Sequence, residues 1–466
     1  MGVAVSSWPL ARAVSRAGQL GVVSGTALDV VLARRLQDGD LGGHARRALA
    51  HFPVPGVTDP VLDRYFRPAG RADGEPYRPV PRLALRQPPD AQLLAVLGNF
   101  VEVWLAKEGH AGLVGVNYLE KVQLATPAAA YGALLAGVDY VLAGAGVPRE
   151  FPGLLDRLAR HDPVRLPVAV AGAPDGSHAV DLDPVALLGT GRPPLRRPRF
   201  LAIVSAHVLA AYLARDPDLR PDGFVVEGPA AGGHNAPPRA PVTLDASGQP
   251  VFGPRDHADP AKVAALGLPF WLAGSYGTPE RVREALGTGA TGVQVGTLFA
   301  LAAESGLPTT RRAALLAGVR EETLRVRTDP LASPTGFPFK VAGLPGTVAE
   351  AATYDARRRL CDLGYLRTPY VGERGEVGYR CPAEPVHTYL RKGGSLADTV
   401  GRVCLCNGLT ANVGLGQTRK DGYVEPPVVT LGADLDGVRR LAATHPDGWS
   451  AEQAVRWLLG DDADVE

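Results

Sequence analysis

Short apolar runs alternate with stretches of helical spacing along residues 20–304. Leu20–Val23, Leu113–Tyr118, Val138–Ala143, Phe200–Ser205, Phe224–Glu227, Pro269–Ala273 and Gly292–Val295 are rich in β-branched and small residues and predict buried strands. Helical spacing predicts helices over Pro9–Ala17, where Leu10, Val14 and Ala17 share one face, and over Leu93–Lys107, Pro127–Ala136 and Gly153–Ala159. It continues in Ala206–Ala214, Ala261–Leu266, Pro279–Leu286 and Leu298–Glu304. Strand and helix in strict alternation imply crossover units and a parallel sheet.

Seven strands and an opening helix with no strand before it suit an eight-unit (β/α)8 TIM barrel of class α/β, its first strand short or missing from the written sequence. An open doubly wound sheet carries the same local signals, and either fold binds ligands at the carboxyl ends of its strands. The expected barrel spans residues 1–308 with insertions at about 29–90 and 160–195. The first insertion holds helices near Val30–Leu36 and Ala45–His51 and a Pro- and Arg-rich run to Arg86, and is a lid, an Ω-type excursion or an arm to a partner. The second holds a hairpin, Pro167–Ala171 with Ala179–Leu182, turned at Pro174-Asp175-Gly176. Residues 309–466 lose the alternation and are expected to form a wrapping, mainly helical C-terminal extension. It includes helices Arg311–Val319 and Ala451–Leu459 and the SPTGFPFK run at Ser333–Lys340.

Composition narrows the function classes. Forty-nine Lys and Arg balance 48 Asp and Glu in 466 residues without a long block of one sign, which argues against nucleic acid. Every apolar run is soon broken by Gly, Pro or charge, and no charged leader precedes an apolar segment, so the expectation is a cytoplasmic protein with no membrane span. Cys361, Cys381, Cys404 and Cys406 leave most of the chain unstapled, and the Cys404-Leu405-Cys406 spacing suits zinc poorly; free buried thiols and no metal are expected.

The chemistry concentrates in FVVEGPAAGGHNAPPR, Phe224–Arg239: a strand ending in Glu227, then Gly232, Gly233 and His234. Two missing Cβ atoms would let a flat or anionic ligand approach the backbone beside the imidazole. A buried histidine bonding its own loop is the plainer reading of His234 alone. Glu227 reads as a loop anchor or a second acid/base, and Lys121 and Gln123 as donors to a ligand or as a solvent-facing helix start. Small and polar residues recur at the other strand ends: Asn117, Gly144, Gly274-Ser275 and Gly296-Thr297. The last two lead into helices, where barrels commonly bind phosphate.

The runs VVEGPAAGGHNAPPR, WLAGSYGTPERVREALGTGATGVQVGTLFALAAESG and MGVAVSSWPLARAVSRAGQLGVVSG resemble the nitronate monooxygenase (2-nitropropane dioxygenase) family, FMN-dependent TIM barrels related to flavin-containing enoyl-acyl-carrier-protein reductases. The resemblance implies FMN, with Met1 and Gly2 in the loop after the first strand against the flavin, Asn117, Gly232 and Gly233 near its rings, and Gly274, Ser275, Gly296 and Thr297 at its phosphate. His234 falls on the family's active-site histidine. Ser275 replaces a usual glycine, and Asn235–Pro238 departs from the usual His-x-Gly ending. The implied reaction is oxidation of alkyl nitronates with O2 to a carbonyl compound and nitrite. Its rivals are NAD(P)H-dependent reduction of an enoyl thioester borne on an acyl-carrier protein, and a non-catalytic subunit that binds a partner; a homodimer is compatible with each.

Overall fold

The computed structural model describes residues 2–460. Seven parallel strands form one sheet in chain order: β1 (Gly21–Ser24), β2 (Val114–Leu119), β3 (Tyr140–Gly144), β4 (Arg199–Val204), β5 (Gly223–Glu227), β6 (Phe270–Ala273) and β7 (Gly292–Gln294). Every neighbouring pair is parallel, with Val23 opposite Val116, Val141 opposite Phe200 and Val226 opposite Leu272.

Burial shows how the sheet curls. Side chains alternate across a strand, and one set, Leu142, Leu201, Ile203, Val225 and Ala273 with Val22, Tyr140 and Trp271, forms a small cluster of its own. The alternate set, including Val23, Val141, Ala143, Phe200, Ala202, Phe224, Val226 and Phe270, joins the large core that the helices cover. Strand residues meeting each other on one face and helices on the other are the signature of a barrel wall, here seven strands in barrel order. Among the described residues no strand precedes the first helix, Trp8–Arg16. Ser24 N donates to Ser6 O (2.8 Å) and Gly306 N to Val5 O (2.9 Å), which fixes the opening turn beside the carboxyl end of β1.

The first insertion packs on its own chain. Helix Leu28–Gln37 lies against helix Pro89–Lys107, Tyr77 N donates to Gln417 Oε1 (2.7 Å), and Gln417 Nε2 donates to Tyr77 O (3.0 Å). Its Asp59–Tyr65 helix was not legible in the proline-rich run. The hairpin of the second insertion pairs Val164–Pro167 with Ala179–Leu182, so its first strand begins three residues earlier than the spacing predicts.

Beyond residue 308 the expectation of a mainly helical extension is incomplete. Helices Thr309–Arg320, Leu405–Asn412, Asp436–Thr444 and Ala451–Leu459 are joined by two antiparallel hairpins, Val326–Asp329 with Phe339–Ala342 and Thr368–Val371 with Val377–Arg380. The prolines and glycines of SPTGFPFK hide the first hairpin because they form its connection. Leu315, Leu441, Trp449 and Leu458 share a core with Leu10, Leu298 and Leu301, tying this region to both ends of the sheet.

Candidate active site

After Glu227 the chain turns through Gly228–Ala231 to Gly232, Gly233 and His234. Gly233 has φ +82°, donates its N–H to Thr430 Oγ1 (3.0 Å) and accepts Lys340 N–H on its carbonyl (2.9 Å). A Cβ on Gly232 would lie 2.9 Å from the Leu431 carbonyl carbon. The glycine pair therefore makes room for two passing backbones, 338–340 and 430–432, and not only for a ligand, as the sequence suggested.

Those backbones also aim the histidine. His234 Nε2 lies 2.7 Å from Ser333 Oγ, its ring meets Phe339 edge-on at 4.9 Å, and Asn235 N donates to Pro338 O (2.9 Å). Ser333 Oγ is in turn 2.8 Å from Thr335 Oγ1 and accepts Thr335 N–H (3.2 Å). His234 Nδ1 has no hydrogen-bond partner among the described residues. Burial holds the imidazole down at about 3, so it is neutral across the physiological range.

His234 opens into a cleft of about 260 Å³ at the carboxyl ends of the strands. Gly2, Asn117, Gly144, Gly232, Gly233, Gly274, Ser275, Gly296 and Thr297 all line it, so the residues expected from separate strand ends meet at one mouth. Met1 lies outside the described residues. A Cβ on Gly144 would lie 2.7 Å from Ile203 Cβ, which explains glycine there. Gly274 and Ser275 both have positive φ, +85° and +68°, so Ser275 holds a backbone conformation that suits the glycine it replaces. Of the two readings of Lys121 and Gln123 the helix start holds and the ligand donor does not: Lys121 is exposed, Gln123 opens the turn Gln123–Ala125, and neither lines the cleft. Both serve Glu120, Lys121 at 3.5 Å and Gln123 by a 3.0 Å hydrogen bond, and Lys121 also lies over the Phe337 ring.

No motif in the chain marked the other wall. Residues 430–438 thread between the loops: Gly432 N donates to Thr297 Oγ1 (2.8 Å) and Ala433 N to Ala230 O (2.9 Å). A Cβ on Gly437 would lie 1.9 Å from Gly277 O. Gly437→Ala is expected to destabilise the fold by about 1–3 kcal/mol through this collision, read as a lower urea midpoint; an unchanged midpoint would mean the segment yields freely. Tyr365, Leu366, Leu405, Cys406 and Leu409 give the cleft an apolar extension. Burial pushes the Cys406 thiol up to about 12, so it acts there as an apolar group.

Two acids complete the lining, Glu227 and Asp434, and no arginine or lysine does. Burial raises the Glu227 carboxyl to about 7 against the opposing pulls of the N-terminal amino group and Lys340. Lys340 is itself buried, its Nζ donating to Pro229 O (2.7 Å) and to Thr328 Oγ1, and burial lowers it to about 8 despite Glu227.

The residues fit FMN. At Gly277 and Gly296 nothing lies within 4 Å of a built Cβ, so bare backbone faces open space at the two adjoining turns. Amides there and the hydroxyls of Ser275 and Thr297 are the groups that would hold a phosphate, and the Asn117 side chain, which lines the same cleft, would be free to meet a ring edge.

Residues 199–329 match the family model described as nitronate monooxygenase. No curated protein matches the chain in sequence. FabK from Thermotoga maritima is similar over 98% of this chain and 89% of its own, at 14% identity and TM-score 0.47. Nitroalkane oxidase from Streptomyces ansochromogenes is similar over 100% and 94%, at 17% identity and TM-score 0.43. The enoyl reductase domain of MlnA, from the macrolactin biosynthesis cluster of Bacillus amyloliquefaciens, covers 54% of this chain and 55% of that one, at 14% identity and TM-score 0.31. These structural likenesses are remote. The matched segment carries the histidine loop and the turns after β6 and β7, and the family it matches is the FMN-dependent one that the sequence resembles.

Proposed function

We propose that this chain reduces the double bond of a neutral enoyl thioester, with a reduced nicotinamide as electron source. The observation that carries the reading is the charge of the cleft: a neutral imidazole, two carboxyl groups and no cationic side chain line it. A nitronate is an anion, and no arginine or lysine side chain lines the cleft to receive it. A thioester brings no charge, and the extension at Leu366, Leu405 and Leu409 suits its acyl chain.

When bound, FMN supplies the two-electron carrier. The protein supplies orientation and polarisation. In the tautomer in which Ser333 donates to Nε2, the His234 ring proton resides on Nδ1, which is then free to donate to the thioester carbonyl and draw electrons from the alkene. Exclusion of water by the 430–438 segment strengthens that bond.

Nitronate oxidation is the second reading, favoured by the family-model match over residues 199–329. There His234 would take the proton from the carbon beside the nitro group and O2 would be the oxidant. The non-catalytic reading requires colourless protein. The purified chain is expected to be yellow, to be bleached anaerobically by NADH or NADPH, and to be recoloured by a crotonyl thioester. Nitrite release from a nitronate in air, with no response to nicotinamide, would replace this reading with the second; colourless protein would remove both.

A further inference from the structure

We propose that Glu227 is the catalytic acid that protonates the substrate carbon next to the thioester carbonyl, resupplied through a small polar cavity behind it. The inference rests on the enoyl-reductase reading and adds a residue to it.

Glu227 stands between two spaces. On one side it lines the cleft with His234. On the other it walls a cavity of about 20 Å³ shared with Ser205, Asn235, Arg239 and Asp256. That volume admits about one water molecule. Asn235 Oδ1 is buried without a hydrogen-bond partner among the described residues, while its Nδ2 donates to Ala231 O (3.0 Å), so a water there would meet an acceptor lacking a donor. Glu227 itself makes no side-chain hydrogen bond among the described residues, unlike a loop anchor, which would accept backbone N–H groups.

The charged groups that act on it or share its cavities are the N-terminal amino group, Lys340, Arg239, Asp256, His234 and Asp434. Lys340 approaches from the hairpin and is held on Pro229 O and Thr328 Oγ1. Arg239 lies across the small cavity, its N–H bonded to Asp256 (2.8 Å) and its guanidinium to Ser205 O (2.7 Å). His234 and Asp434 share the cleft. Raised to about 7 by burial, the carboxyl is about half protonated at neutral pH, whereas the imidazole held near 3 is not protonated.

The step balances. Hydride adds at the β carbon, the alkene electron pair moves to the α carbon, and the Glu227 O–H bond breaks as its proton joins that carbon. The carboxylate regains a proton from solvent through the small cavity. The thioester gains two electrons and two protons, and the nicotinamide is oxidised.

The test uses reduced holoenzyme mixed anaerobically with crotonyl thioester, flavin reoxidation being followed by absorbance. Wild type is expected to lose rate as pH rises through about 7 and to place solvent deuterium at the α carbon. Glu227→Gln is expected to retain FMN, to be reduced by nicotinamide at the wild-type rate, and to be reoxidised about 10²-fold more slowly, without the limb near pH 7. Glu227→Asp should recover part of the rate and the limb, and serves should the glutamine variant not fold. Reoxidation of Glu227→Gln within twofold of wild type, or a limb that survives, overturns the assignment of Glu227 alone. A yellow, nicotinamide-reducible wild type that no enoyl thioester reoxidises overturns the reductase reading and this inference with it.

Discussion

His234→Ala is expected to bind FMN as wild type does and to turn over roughly 10²- to 10⁴-fold more slowly. The flavin contacts expected in this cleft are backbone amides and small hydroxyls, none of them supplied by the ring. Its loop stays anchored through Gly233 to Thr430 and Lys340, and through Asn235 to Pro338. What is lost is a neutral donor held at 2.7 Å by Ser333 and packed on Phe339. Because burial holds the ring at about 3, no limb between pH 5 and 9 belongs to it. His234→Asn, which retains an N–H donor, should recover part of kcat. Turnover within threefold of wild type in the alanine variant, with FMN bound, would return His234 to a structural histidine.

The second large effect is on stability, at Lys340. Its ammonium is buried on two acceptors, Pro229 O and Thr328 Oγ1, while its N–H holds Gly233 O. Lys340→Met keeps most of the stem and removes the charge, leaving one buried carbonyl and one hydroxyl without their donor, at a cost of about 1–3 kcal/mol each. The pH dependence separates this from simple loss of packing. Folding raises Glu227 from 4.5 to about 7, so the folded state holds more protons over that interval and stability from this group falls as pH rises through it. Folding lowers Lys340 from 10.5 to about 8, so the unfolded state holds more protons there and stability from this group rises between those values. Urea midpoints of Lys340→Met should lack the alkaline rise, and the descending limb should shift to higher pH because the ammonium no longer draws Glu227 down. An alkaline rise undiminished in the variant would assign it to another group.

The seven strands were legible because parallel strands are buried on both faces and show as continuous apolar runs. Each observed strand begins or ends within about two residues of its run. Long helices such as Pro89–Lys107 were legible by their period. The first C-terminal hairpin was not, since its strands are four residues each and a proline-rich connection masks them. Lys121 and Gln123 follow Asn117 closely in sequence, but the chain turns after β2 and hands both to Glu120.

The sequence by itself determined the alternation that builds the sheet, the strand-end glycines and the imidazole beside them, because those are local demands of backbone burial and close approach. Only the tertiary structure decided what protonation those groups have and what surrounds them. Ser333, Phe339, Lys340 and Thr430 reach the histidine loop from about a hundred to two hundred residues away in the chain. An imidazole stays neutral and a carboxyl stays protonated only once distant segments have closed over them and removed their water.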